Sequence, residues 1–178
     1  QLEQEPNIYW DGDTPESYQN KGLAMLSSPE IQKGILSIHS SKIETKVELH
    51  VPGVPIPIVG YIDVITEDGI PGDLKTSSKS WTMDKALNEL QPVFYLAALN
   101  QAGITVPDNH FVHYVFVKTK TPQFQKLEHV HRPAEMLWLF KMIKSVWDAI
   151  DAGVFPLNPS GWKCSPLYCD YWSICRGK

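Results

Sequence analysis

Three residues in one short stretch have the types and spacing to do chemistry together: Asp63, then Asp73 and Lys75 within Asp73-Leu74-Lys75. Acidic residues are depleted in strands, yet Asp63 sits inside the apolar run Tyr61-Ile62-Asp63-Val64-Ile65. A charge in a buried strand is costly unless it is paired or holds a metal. If Thr66 pairs with Ile70, the loop Glu67-Asp68-Gly69 is a three-residue hairpin turn with glycine in the left-handed position. That register sets Ile65 opposite Pro71, Val64 opposite Gly72 and Asp63 opposite Asp73, about 5 Å apart on one face. Lys75, two residues on, shares the face. A two-residue loop would separate the two acids. Like charges so opposed repel, and a lysine with a divalent cation held by oxygen ligands offsets them. Such a group activates water for attack on a phosphoryl centre, while the ammonium steadies the nucleophile or the developing charge. The plain alternative is a cross-strand pair between Asp63 and Lys75. An acid-x-Lys triplet also recurs at Glu44-Thr45-Lys46.

The elements that must position these residues follow from periodicity. Asp13 to Ile38 reads as helical, broken or restarted at Pro29. Ile43 to Val51 alternates, with Ile43, Thr45, Val47, Leu49 and Val51 on one face and Glu44, Lys46, Glu48 and His50 on the other. Ile58 to Thr66 has the composition of a central strand, and Ile70 to Thr76 follows the turn. Met83 to Ala102 reads as one helix with an apolar stripe at Leu87, Leu90, Phe94, Ala97 and Ala98, ended by Gly103. Phe111 to Lys118 is a strand, Phe124 to Val130 its hairpin partner, and Pro133 to Ala152 an amphipathic helix. The order is that of an α/β layer fold around a mixed sheet.

Composition bounds the rest. The chain has 178 residues, 43% hydrophobic and 20% charged, enough for a core without disulfide staples. Its net charge of −4 excludes a protein that is basic overall, but not one that grips nucleic acid through a local patch and bound metal. Three cysteines do not make a disulfide framework, no apolar run is long enough for a membrane span, and the first residues are unlike a signal peptide. The expectation is a cytoplasmic protein of one domain, residues 1–178, with a cysteine- and aromatic-rich tail at 155–178.

Gly60-Tyr61-Ile62-Asp63, then Asp73-Leu74-Lys75-Thr76, then Gln91 with Tyr95 resemble, in that order, the signature of RecB-type exonucleases of the PD-(D/E)xK nuclease superfamily. The resemblance runs from about Glu44 to Tyr95. It implies a mixed sheet flanked by helices, the restriction-endonuclease-like core of order αβββαβ, magnesium or manganese as cofactor, and cleavage of DNA to leave a 5′-phosphate. It implies that Asp63 and Asp73 ligate metal, with the Leu74 carbonyl contributing, and that Lys75 is the catalytic lysine. The upstream acid is then Glu48, with Glu44 in reserve. Gln91 and Tyr95, i and i+4 on one helix face, would line the site and contact the substrate backbone. From periodicity alone the same two residues are equally well explained as core. Family members usually open with a helix bearing a histidine that joins the metal site. Residues 1–38 offer no counterpart, and His39 falls past the helix.

Cys164, Cys169 and Cys175 stand among Trp162, Tyr168, Tyr171 and Trp172. Some RecB-like nucleases, CRISPR-associated ones included, bind a [4Fe–4S] cluster through three such C-terminal cysteines and one far upstream. The resemblance implies a cluster in a full-length protein that supplies a fourth thiolate, which these residues lack; otherwise the thiols pack among the aromatics. Of the histidines, His110 with His113 and His129 with His131 are spaced for metal, but no partner series follows. Lys118, Lys120, Lys126, His129, His131 and Arg132 form a basic stretch suited to a phosphate backbone or a solvated face. The reading is a metal-dependent DNA exonuclease of a phage or bacterial recombination or repair system, with DNA and recombination proteins as partners. The alternative is a non-catalytic DNA-binding or structural module that keeps the fold.

Overall fold

The computed structural model describes residues 14–155, 161 and 163–176. The expected helix start at Asp13, Pro156, Pro159 and the tail residue Trp162 lie outside them. Two helices open the described chain, α1 (Pro15–Leu26) and α2 (Pro29–Leu36). Thr14 caps α1 by accepting the Ser17 amide at 3.1 Å, and Pro15 and Pro29 each stand in a first turn, where a missing N–H costs nothing.

Strands β1 (Ser40–Leu49), β2 (Ile58–Thr66) and β3 (Pro71–Ser77) form an antiparallel meander. The chain then crosses through helices α3 (Met83–Leu87) and α4 (Leu90–Gln101) to β4 (His110–Val117), which runs parallel to β3. Strand β5 (Gln123–Val130) returns antiparallel, and α5 (Pro133–Asp151) and the short α6 (Trp172–Arg176) follow. The sheet order is β1-β2-β3-β4-β5, a five-stranded mixed sheet flanked by helices. On one face Val47, Leu49 and Ile62 pack with Val93, Leu96 and Leu99 of α4 and Met136 and Leu139 of α5. On the other, Val64, Val112, Tyr114 and Phe116 pack with Ile31 of α2.

The expected helix over 83–102 is two helices. Pro92 inside a continuous helix would lack its N–H and collide with the carbonyl four residues back. The break at Asn88 and Glu89 moves it into the first turn of α4, and Asn88 closes α3 by donating its side-chain amide to the Asp84 carbonyl at 2.8 Å. The expected stripe shifts accordingly. Leu87 and Leu90 are exposed, while Val93 and Tyr95 to Leu99 are buried. Gly60 lets α4 lie this close: a Cβ there would stand 2.5 Å from Phe94 Cε1 and 3.1 Å from Tyr95 Cε1.

The β2–β3 turn is the three-residue hairpin expected. The Thr66 amide donates to the Ile70 carbonyl at 2.9 Å, Gly69 has φ +77°, and Val64 pairs with Gly72 and Ile65 with Pro71. The third expected pair, Asp63 with Asp73, is not in the ladder. Pairing stops at Val64, and from Gly72 onward β3 is held by β4.

Candidate functional site

Where β2 and β3 part, the side chain of Asp63 replaces the missing main-chain partner. Its Oδ2 accepts the Leu74 amide at 2.7 Å. The faces of β2 also switch here. Ile62 packs with α4, but Val64, two residues on, packs toward α2. Strict alternation would put both on one side. The register Ile43↔Val64 and Thr45↔Ile62 places Glu44 across from Asp63, and Glu44 has φ +47°, a left-handed conformation rare for a non-glycine residue. The irregularity on β1 thus sits opposite the acid that the sequence singles out. It also explains why Ile43, expected on the buried face, is exposed.

Asp73 is 1% exposed, and its Oδ2 lies 2.8 Å from the Lys75 ammonium. The contact is an ion pair without the angle of a hydrogen bond, so this oxygen still lacks a donor. Burial raises the Asp73 carboxyl above its ordinary 3.8; Lys75 opposes the rise, and the charges of Asp63 and Glu89 add to it. Lys75 donates to Gln91 Oε1 at 2.7 Å. An ammonium only donates, so the Gln91 amide must present its oxygen here and its nitrogen elsewhere. Gln91 Nε2 donates to the Tyr95 hydroxyl at 2.8 Å, and that hydroxyl donates to the Tyr61 carbonyl at 2.5 Å. One directed chain therefore runs Lys75, Gln91, Tyr95, Tyr61. Burial raises the Tyr95 hydroxyl, opposed by Gln91 and reinforced by the charges of Asp73, Asp63 and Glu44.

The two readings of Gln91 and Tyr95 hold at different atoms. The Tyr95 ring is core, 5.4 Å from Phe94 and stacked 6.2 Å from Phe111, while its hydroxyl belongs to the site. Asp63, Asp73, Leu74, Lys75, Gln91 and Tyr95 are thus linked through one set of contacts. Glu48 is not among them. It lies opposite Val59, on the β1 face turned from α4, and pairs with Lys46 at 2.7 Å, which holds its carboxyl below the usual range. The acid that β1 brings toward the site is Glu44. Glu89, the residue before α4, is a half-buried acid whose charge reaches Asp73. Sequence reasoning passed over it; its signal was an acid directly ahead of Leu90-Gln91.

Among the described residues no three His, Cys, Asp or Glu side chains are gathered as a metal cluster. That includes Cys164, Cys169 and Cys175, free thiols about α6 and its preceding turns, which the described residues do not gather into one ligand group. It also includes the histidines, because His113, His129 and His131 spend nitrogens on one another. A hard cation would find oxygens at Asp63, Asp73 and the Leu74 carbonyl, and the donor-poor Asp73 Oδ2 fits such a partner. Among the described residues no helix is long and apolar enough to cross a membrane.

A family model of the PD-(D/E)XK nuclease superfamily matches residues 8–176. No curated protein matches the chain. A crystal structure from Eubacterium rectale, described as a "putative exonuclease", is similar over 96% of this chain at 12% identity and a TM-score of 0.59. The chain spans 64% of that structure's length. A structure described as SSO0001 is matched over 90% of this chain and 76% of its own at 17% identity, with a TM-score of 0.44. At 12% identity the likeness to the first of these is one of fold.

Proposed function

We propose that this chain, which belongs to the PD-(D/E)XK nuclease superfamily, is a metal-dependent deoxyribonuclease that removes nucleotides from DNA ends in recombination or repair. The observation that carries the reading is Lys75. Its ammonium is held between the buried Asp73 and the Gln91 amide oxygen, which Tyr95 keeps turned toward it. A lysine needed only for a surface charge would not be anchored at both ends.

Asp63 and Asp73, with the Leu74 carbonyl, are the groups that would hold magnesium or manganese. When bound, such an ion lowers the pKa of water and neutralises charge on the phosphate. The chain's own contribution is positional. Asp63, by accepting the Leu74 amide, fixes the peptide plane that joins Asp73 to Leu74. Gln91 takes one of the three ammonium donors of Lys75 and Asp73 pairs with its charge, leaving the other donors for water or a phosphate oxygen. The ammonium then orients the attacking water and offsets charge that develops on the phosphate. Gln91 and Tyr95 keep that ammonium from rotating away. DNA reaches this site where β2 and β3 diverge.

The test is degradation of end-labelled DNA at one fixed salt concentration, with magnesium, with chelator, and with the Lys75→Ala protein. Cleavage that needs the metal and falls at least ~10²-fold in the variant supports the reading, that being the scale of one positioned electrostatic group. Products released singly from the labelled end mark an exonuclease, and internal fragments an endonuclease. No metal-dependent cleavage by the wild-type chain would favour the DNA-binding module instead.

A further inference from the structure

Beside the carboxylate–lysine site, three buried histidines stand in a row. His113 Nδ1 lies 2.9 Å from His129 Nε2, His129 Nδ1 lies 3.0 Å from His131 Nε2, and His131 Nδ1 lies 2.7 Å from Glu135 Oε2. None of the three histidines is more than 6% exposed, whereas the Glu135 side chain is 40% exposed. The row therefore runs from the interior to the surface at the first turn of α5. Its inner end is His113, the ladder partner of Asp73. The Nε2 of His113 is buried and has no hydrogen-bond partner. The two nitrogens of an imidazole point apart. With Nδ1 turned to β5, Nε2 points away from β5; Asp73 and Lys75 project from the same sheet face as His113, and the Lys75 charge reaches its ring.

The polarity of the row follows from its outer end. A carboxylate only accepts, so His131 carries a proton on the Nδ1 that meets Glu135. In its neutral form His131 then has a bare Nε2, which accepts from His129 Nδ1. His129 in turn offers a bare Nε2, which accepts from His113 Nδ1. Burial keeps the inner rings neutral, pushing His113 and His129 each down to about 4. What remains at the inner end is a lone pair on His113 Nε2, and the nearby positive charge of Lys75 favours a lone pair there over an N–H.

We propose that Glu135 is a remote positioning residue: by fixing the tautomers of His131, His129 and His113 it presents the Nε2 lone pair of His113 as acceptor for a water that bridges to the Lys75 ammonium. Such a bridge is nearly as good as a direct hydrogen bond, and it holds one of the two ammonium donors that Gln91 leaves over, the other remaining for the attacking water or a phosphate oxygen. The inference rests on the role given to Lys75 above. Glu135 reaches the site only through the histidines.

Glu135→Gln tests it, because the outcome at the atoms is determined. Glu135 Oε1 accepts the Arg132 amide at 3.0 Å. In the variant that amide keeps the Gln oxygen, so the Gln –NH2 faces His131 Nδ1 and donates to it. His131 must then carry its proton on Nε2, and the whole row reverses, leaving an N–H at His113 Nε2. Side-chain 15N spectra of the full chain distinguish the protonated nitrogen from the bare one. The wild type should show bare Nε2 on all three histidines, and Glu135→Gln should show bare Nδ1, with a shifted Lys75 ammonium resonance. DNA turnover should fall about tenfold, the lower end of what is lost when an outer-shell partner is removed, at unchanged DNA affinity. Glu128→Gln, on exposed β5 and paired with Lys126, should change none of these. A protonated His113 Nε2 in the wild type would overturn the polarity. Reversed tautomers with an unmoved Lys75 resonance would overturn the link to the site. Because those readouts need no cleavage, an inactive wild type would count against the nuclease reading and leave this inference to be judged on the spectra.

Discussion

Replacing Lys75 by Met should destabilise the metal-free protein most at alkaline pH and least in acid. The Met side chain ends at the position of Lys75 Cε and lacks the ammonium, so the packing of the stem is nearly unchanged while the charge and its contacts to Asp73 and Gln91 are lost. The partner left behind is Asp73, 1% exposed and already raised by burial above its ordinary 3.8. Lys75 is the group that opposes that rise, so its removal drives the Asp73 carboxyl further up. Breaking a buried pair by removing one partner costs ~3–5 kcal/mol when the remaining charge is trapped. Here the Lys75 side chain is 29% exposed and Asp73 can escape by binding a proton, so ~1–3 kcal/mol at pH 8 is the reasoned range. The sign follows from linkage. A carboxyl raised on folding binds protons more readily in the folded state, so its penalty is absent near 3.8 and below, grows as pH rises toward the raised value, and is constant above it. The variant's window reaches further up than the wild type's, so the stability gap between them should be full at pH 8 and close as pH falls toward 4.5. Urea unfolding of both proteins at those two pH values, with chelator and fixed salt throughout, measures it. A gap that stays constant or widens in acid would refute the buried ion pair as the source of the loss.

Tyr95→Phe removes the hydroxyl that satisfies the Tyr61 carbonyl and receives Gln91 Nε2; a loss of ~1–3 kcal/mol is expected, read as a melting temperature lower by ~2–4 °C per kcal/mol, together with slower cleavage as Gln91 loosens its hold on Lys75. Gly60→Ala places a Cβ 2.5 Å from Phe94 Cε1 and should push α4 outward; thermal unfolding should show a loss of ~1–3 kcal/mol typical of overpacking. Glu44→Gln and Glu48→Gln should part company, since Glu44 stands across from Asp63 and Glu48 pairs with Lys46 away from it: in the cleavage assay the first should slow turnover and the second leave it unchanged, and the reverse result would restore Glu48 as the upstream acid.

Much of the scaffold was legible because its signals are local. Gly69 at the third loop position, with Thr66 and Ile70 on either side, is enough to choose a three-residue hairpin, and the hairpin then dictates which residues of β2 and β3 can meet. Pro29, Gly103 and Pro133 mark helix ends for reasons confined to their own backbones. The break at Asn88 was equally local, since Pro92 forbids a helix running through it, but the apolar residues on both sides gave a stronger helical period than one proline subtracts. Glu135 was hidden for another reason. The spacing of His129 and His131 points to one strand face, and only the pairing of β5 with β4 reveals that His113 completes the row.

The choice between Glu44 and Glu48 was not available to periodicity at all. Alternation assigns both to the polar face of one strand, four residues apart, and treats them as equivalent. They stop being equivalent because β1 takes a left-handed turn at Glu44, and nothing in the types Ile43-Glu44-Thr45 demands it. The cause lies across the sheet. Asp63 must turn its carboxylate to the Leu74 amide as β2 and β3 part, Ile62 must stay under α4, and Val64 must reach the opposite core with Gly72. One residue of β2 therefore absorbs a change of face, and the strand paired with it must absorb the same change at the residue opposite. The irregular backbone of Glu44 is the consequence of turning the Asp63 carboxylate to the Leu74 amide where a regular sheet would have continued its alternation.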